Sequence, residues 1–278
     1  MKWLGRRSSD NVDDRRGMGG GGLALGGGIG TVVVMIVVYL LGGNPLQYVS
    51  NTDSSPSEST PEKDQQAKFV SVVLADTEDV WDSIFTNQLH MTYEKPTLVL
   101  FAGSTESGCG YASAATGPFY CPQDKKVYID LNFYDELKSR FNSPGDFAMA
   151  YVVAHEVGHH VQNLLGISDK IRNAQQNASE KEVNALSVKL ELQADFLAGV
   201  WAYHDEKLKK AVESGDIEEA LNAAHAIGDD QLQKKSQGYV VPDSFTHGTS
   251  AERMYWFKKG FDTGDITQGY ELIQPQMQ

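Results

Sequence analysis

The segment His155-Glu156-Val157-Gly158-His159 limits what this chain can fold into more than any other stretch of it. Apolar residues recur around it at Phe147, Tyr151, Val152, Ala154, Val161 and Leu164, which is a helical rhythm. Ser143 as N-cap, Pro144 at the first helical position and Asp146 at the third predict where that helix starts, and Gly166 predicts where it ends. Residues four apart lie one turn apart, so both imidazoles project from one face. Val152, Val153, Val157 and Val161 surround them, which predicts burial. A buried His-Glu-His face needs a partner, and a divalent metal supplies one. Zinc suits imidazole and carboxylate donors in a tetrahedral set with one position open to water. Glu156 lies about 100° round the helix from His155, beside that open position, where a carboxylate can accept a proton from water. The plainer alternative is a solvated polar face, and the valines argue against it. His160 points about 100° away from His159 and reads as a surface or supporting residue.

Two histidines do not complete a site. A second long helix opens at Ser179 with Glu182 three residues on, a capping box. It carries Glu191 and Asp195 four residues apart, hence on one face, among Leu190, Leu192, Ala194, Phe196 and Leu197. Glu191 is then the third ligand, and Asp195 the acceptor that fixes the tautomer of a ligand histidine. A solvated acidic stripe is the alternative. Further helices begin near Asp216 and near Thr249, the latter with Glu252 three residues after its cap. Ahead of all these, residues 97–101 and 127–131 are rich in strand formers and flank the segment between Cys109 and Cys121, which reads as a loop. Short strands followed by helices make the class α+β.

The amino-terminal part has a different character. No charged residue occurs from position 23 to 43, a run of 21 residues and roughly 31 Å as a helix, enough to span a bilayer. A signal peptide is the rival, but no clean cleavage site precedes Asn44. Positive residues beside a span stay on the cytoplasmic side, and Lys2, Arg6, Arg7, Arg15 and Arg16 precede this one. The expected layout is a cytoplasmic tail at 1–22, a transmembrane helix at 23–43, a flexible linker at 44–66 and a domain at 67–278. The domain would then lie outside a bacterial cell membrane, held to the lipid bilayer by the span. A net charge of −13 disfavours nucleic acid as a partner. In an oxidising compartment Cys109 and Cys121 pair most naturally as a disulfide, contributing about 3 kcal/mol by loop closure. Buried thiols or soft metal ligands are the alternatives.

The elements HEVGHH, ELQAD about 30 residues later and then THGTSAER resemble the neutral zinc metallopeptidase family of single-span bacterial membrane proteins, relatives of the gluzincins. The resemblance implies a zincin-like domain with one Zn2+ held by His155, His159 and Glu191, Glu156 as base, and a peptide or protein substrate. Similar His and Arg elements near the active site of membrane-associated zinc peptidases imply that His247 helps an oxyanion and that Arg253 orients an acid of the site. A loop histidine and a surface arginine are the alternatives. Tyr203 and Tyr239 are weaker oxyanion candidates, and Asp229 and Asp230 read as a solvated turn. The alternative function is a catalytically silent, zinc-stabilised scaffold module of the cell envelope, although such a module has no need of Glu156.

Overall fold

The computed structural model of the protein describes residues 1–17, 60–113, 116–139, 141, 143 and 145–273. The expected span at 23–43 lies outside the described residues. Among the described residues no helix is long and apolar enough to cross a membrane.

In chain order the elements are strand β1 (Val12–Asp14), helix α1 (Pro61–Ile84), strands β2 (Thr97–Phe101), β3 (Ser104–Ser107), β4 (Gly110–Ser113), β5 (Phe119–Cys121) and β6 (Lys126–Asp130), then helices α2 (Phe133–Ser139), α3 (Asp146–Leu164), α4 (Ile167–Gln175), α5 (Glu180–Lys209), α6 (Asp216–Ala226), α7 (Asp229–Gln237) and α8 (Ser250–Thr263). A 3-10 segment at Ile266–Leu272 follows. The class is α+β as expected, but the order differs from strands first: α1 stands between β1 and β2, and only the remaining helices follow the strands. The four-stranded sheet has the order β1-β2-β6-β5. β1 and β6 flank β2 in parallel, and β5 runs antiparallel to β6. The two strands expected from composition pair with each other in the register Leu98↔Val127 and Leu100↔Ile129. The stretch between the cysteines is more than a loop: it contributes β4, paired with β3, and most of β5. Cys109 and Cys121 are joined as a disulfide.

Two expected boundaries move. Residues 61–66, read as tether, form the first turns of α1: the Thr60 hydroxyl accepts from Lys63 N, Pro61 opens the helix, and Glu62 and Asp64 sit in its first turn. Their polarity reflects an exposed helix start, with burial beginning at Ala67. Residues 1–17, read as a tail, lie on the domain: β1 extends its sheet, and Trp3 joins the main core with Phe69, Val70, Phe147 and Trp201.

The helical half is built round α3 and α5. α3 is capped by Gly145 rather than Ser143, and its Phe147 N–H donates to Glu219 of α6 at 3.0 Å. A tertiary carboxylate thus does what a local serine was expected to do. Gly166, with φ of +70°, ends the helical run as expected. α5 and α8 both begin with the expected capping boxes, Ser179 with Glu182 and Thr249 with Glu252. α3 meets α5 at Gly158, where a Cβ would lie 3.0 Å from the Ala194 carbonyl oxygen. α5 meets α8 at Gly199, where a Cβ would lie 2.0 Å from the Phe257 carbonyl oxygen. These two close approaches set the three helices that carry the polar residues of the site.

Candidate metal centre

The crossing at Gly158 brings the histidine face of α3 against Glu191 of α5. His155 Nε2 lies 3.2 Å from Glu191 Oε2, and His159 Nε2 lies 3.4 Å from Glu191 Oε1. One donor atom from each of the three residues lies within 4.8 Å of the others, so all three can converge on one ion.

The orientation of each imidazole is decided from behind. His155 Nδ1 lies 2.8 Å from Asp195 Oδ1. Both ring nitrogens thus face carboxylates, which only accept, and against the effect of burial these raise the His155 pKa to about 10. Asp195 holds Nδ1 from behind, so Nε2 is the atom placed to ligate an ion. His159 Nδ1 lies 2.9 Å from Gln162 Oε1. The amide nitrogen of Gln162 donates to Leu190 O at 2.7 Å and to Gln193 Oε1 at 3.1 Å, which leaves its oxygen facing His159. His159 therefore also has Nδ1 engaged from behind and Nε2 turned to the centre. Such outer partners fix tautomer and ring direction. Gln162 was not singled out in the sequence, although it lies three residues after His159 on the same helix face.

Asp195 is wholly buried and is the hub of the arrangement. It accepts from the Tyr151 hydroxyl at 2.5 Å and from Arg253 through Nε at 2.8 Å and Nη2 at 3.0 Å, besides His155. Burial alone would raise its pKa, but Arg253 and His155 overcome that and hold it at about 2. Arg253 is itself 2% exposed, so it is no surface arginine. Its Nη2 also donates to the Tyr151 hydroxyl at 3.2 Å. Tyr151 stands four residues before His155, a spacing that marks the shared face. Glu156 is buried beside the cluster, and burial raises its carboxyl above the usual range against the pull of His155 and His159.

The centre opens into a cavity of about 540 Å³ lined by His155, Glu156, His159, Glu191, Arg253 and His247, with Phe119 and Tyr120 of β5 on its far wall. His247 is half exposed there, and its Nδ1 lies 3.3 Å from Asp229 Oδ1. Asp229, expected in a solvated turn, is 8% exposed. Its Oδ2 accepts from the backbone N–H groups of Thr246, His247 and Gly248 at 2.8, 2.6 and 3.0 Å. Asp230 likewise accepts from Ser250 N at 2.7 Å. Both aspartates pin the loop that carries His247. The other candidates fall elsewhere. Tyr239 is 62% exposed and off the cavity wall, and Tyr203 packs beneath Gly264. His160 is fully buried rather than superficial: Nε2 lies 2.6 Å from the Glu94 carbonyl and Nδ1 3.0 Å from the Tyr120 hydroxyl. Burial depresses its pKa to about 4, so it stays neutral and ties α3 to β5.

The cleft is floored by a helix-borne His-Glu-His face, with a carboxylate entering from a second helix, a donor set that can hold one divalent metal next to a buried acid. The chain belongs to the family described as "Putative neutral zinc metallopeptidase", which it matches over residues 1–271. It is 54% identical over 282 residues to the uncharacterized protein YpfJ of Escherichia coli K12, covering 96% of this chain and 97% of that protein. It is 44% identical over 183 residues to the uncharacterized protein Rv2575 of Mycobacterium tuberculosis H37Rv, covering 62% of this chain and 61% of that protein. No solved structure matches.

Proposed function

We propose that the chain hydrolyses peptide bonds, with one zinc ion held by His155, His159 and Glu191 and with Glu156 as general base. The observation that carries this reading is the convergence of three donors within 4.8 Å, with the far nitrogen of each imidazole already engaged. Two imidazoles and one carboxylate suit zinc and leave a position for water. When bound, zinc supplies a Lewis acid that polarises a carbonyl oxygen and lowers the pKa of water to about 7. Glu156 takes a proton from the attacking water and hands it to the leaving amine. His247, held by Asp229, donates a hydrogen bond to the oxygen that becomes negative. Arg253 acts through Asp195, keeping it ionised and His155 correctly turned.

An extended substrate can add to a free sheet edge. β2 and β6 each have neighbours on both sides, so neither strand expected from the sequence offers one. β5 is the edge strand that lines the cleft, and we place the substrate backbone along it.

Metal analysis of the full chain, beside His159→Ala and Glu191→Ala, tests the ligand set. About one zinc per chain, lost in both variants, is the expected outcome. Glu156→Gln should keep zinc and cut peptide cleavage by roughly 10²- to 10⁴-fold. Zinc retained after Glu191→Ala would remove Glu191 from the set. A zinc-loaded parent that cleaves nothing in a broad peptide library would favour the silent scaffold.

A further inference from the structure

The hydrolytic reading leaves residues 1–17 without a role, yet they are bonded to the domain along their length. Lys2 N donates to Ala211 O at 2.8 Å and Ser9 N to Ser71 O at 3.0 Å. Trp3 packs edge-on against Phe69 with ring centres 5.4 Å apart, and its indole donates to Asp146, the first residue of the metal-bearing helix, at 3.2 Å. Three buried carboxylates face this arm: Asp76, Glu78 and Asp205, at 2%, 1% and 0% exposure. Arg6 bridges Asp76 at 2.8 Å and Asp205 at 3.3 Å. Arg7 reaches Glu78 at 3.2 Å, and Ser9 and Asn11 donate to the same carboxylate at 2.6 and 2.7 Å. A body folded without the arm would bury carboxylates stripped of these partners, which is strongly unfavourable.

The ends of the intervening segment meet. The Arg16 guanidinium donates to Lys63 O at 3.1 Å and to Asp64 at 3.2 Å. The two faces of a bilayer are separated by about 30 Å of hydrocarbon. A chain that leaves at residue 17 and returns at residue 60 beside the same side chains cannot have crossed once in between. Two crossings need roughly 40 apolar residues. The uncharged stretch at 17–52 has 36 residues, of which 17–22 are mostly glycine and 44–52 mostly polar, leaving 21 at 23–43.

We infer that residues 1–17 and 60–273 face the same compartment, so that residues 18–59 do not carry the chain across a membrane once. The cleft then opens on the side of the amino terminus. This replaces the layout of an inside tail and an outside domain. The arginines that suggested that layout already have counter-charges in the fold: Arg15 lies 2.6 Å from Asp13, and Arg16 lies 2.6 Å from Asp14. The Cys109–Cys121 disulfide belongs to the shared compartment, and its redox state in cells reports which one that is.

Site-resolved labelling of the full chain in a bacterial host tests this without reference to hydrolysis. Asp10→Cys marks the arm and Asn177→Cys the body, both at exposed positions. A membrane-impermeant maleimide is applied to spheroplasts and to inside-out vesicles, and labelled peptides are read by mass spectrometry. The expected result is that both positions label in the same preparation and are shielded together in the other. Labelling of one position in spheroplasts and of the other in inside-out vesicles would overturn the inference. In the purified full chain, Ser9→Cys with Ser71→Cys should form an intrachain disulfide on oxidation. Its failure to form in folded protein would overturn the placement of the arm.

Discussion

Both the cleft and the arm interface bury carboxylates, and the two regions treat them differently. Asp195, behind the cleft, accepts from Tyr151, His155 and Arg253, and its pKa falls to about 2. Asp205, under the arm, shares one arginine with Asp76, and burial followed by the nearness of Asp76 pushes it up to about 7. One oxygen of Asp76 and one of Asp205 are buried without a hydrogen-bond partner among the described residues. Burial is equal, so the number and charge of donors decides the outcome. The cleft is organised to keep a charge that orients His155. The arm interface tolerates a pair of acids for which the arm supplies part of the counter-charge.

The sharpest way to break this contrast is Arg253→Met. It leaves Asp195 buried without its guanidinium partner, and such a loss costs about 3–5 kcal/mol. Chemical denaturation should show that destabilisation, and zinc affinity should fall as His155 loses its fixed orientation. Equal stability in parent and variant would mean that Asp195 is not held by Arg253.

Arg6→Met is the matching change under the arm, and its effect should be smaller, about 1–3 kcal/mol. Lys209 remains 2.7 Å from Asp76, and Asp205, poised near neutrality, can take up a proton instead. A loss as large as that of Arg253→Met would mean that the two regions hold their buried acids alike.

The finest test is the pH dependence of stability. Asp205 has a folded pKa above its ordinary value, so the folded state keeps a proton that the unfolded chain releases between about pH 4 and 7. Its contribution is therefore greatest at the acid end of that window and falls as pH rises through about 7. Asp76, raised by burial, acts in the same direction. Melting temperatures of Asp205→Asn should vary less between pH 5 and 8 than those of the parent, a range chosen to bracket the upper part of that window. An unchanged slope would show that Asp205 is ionised throughout.

Much of the centre was readable along the chain, because its rules are local. His155 and His159 share a face by covalent spacing, and so do Glu191 and Asp195. The capping boxes at Ser179 and Thr249 fix where two of the helices start. Gln162 and Tyr151 sit at spacings of three and four from the histidines and could have been found by the same rule. The arm could not. An arginine-rich stretch before an apolar run satisfies a topology rule and an ion-pairing scheme equally well, and only the positions of Asp76, Glu78 and Asp205 separate them. Asp229 was equally silent, since a Gly-Asp-Asp sequence reads as a turn until a loop from 17–19 residues onward folds over it. The sequence alone determined which residues each helix offers on each face, because that depends on about 100° of rotation per residue. Which faces meet was decided by the tertiary structure, through close approaches such as Gly158 against Ala194 and through buried charges that must find partners far along the chain.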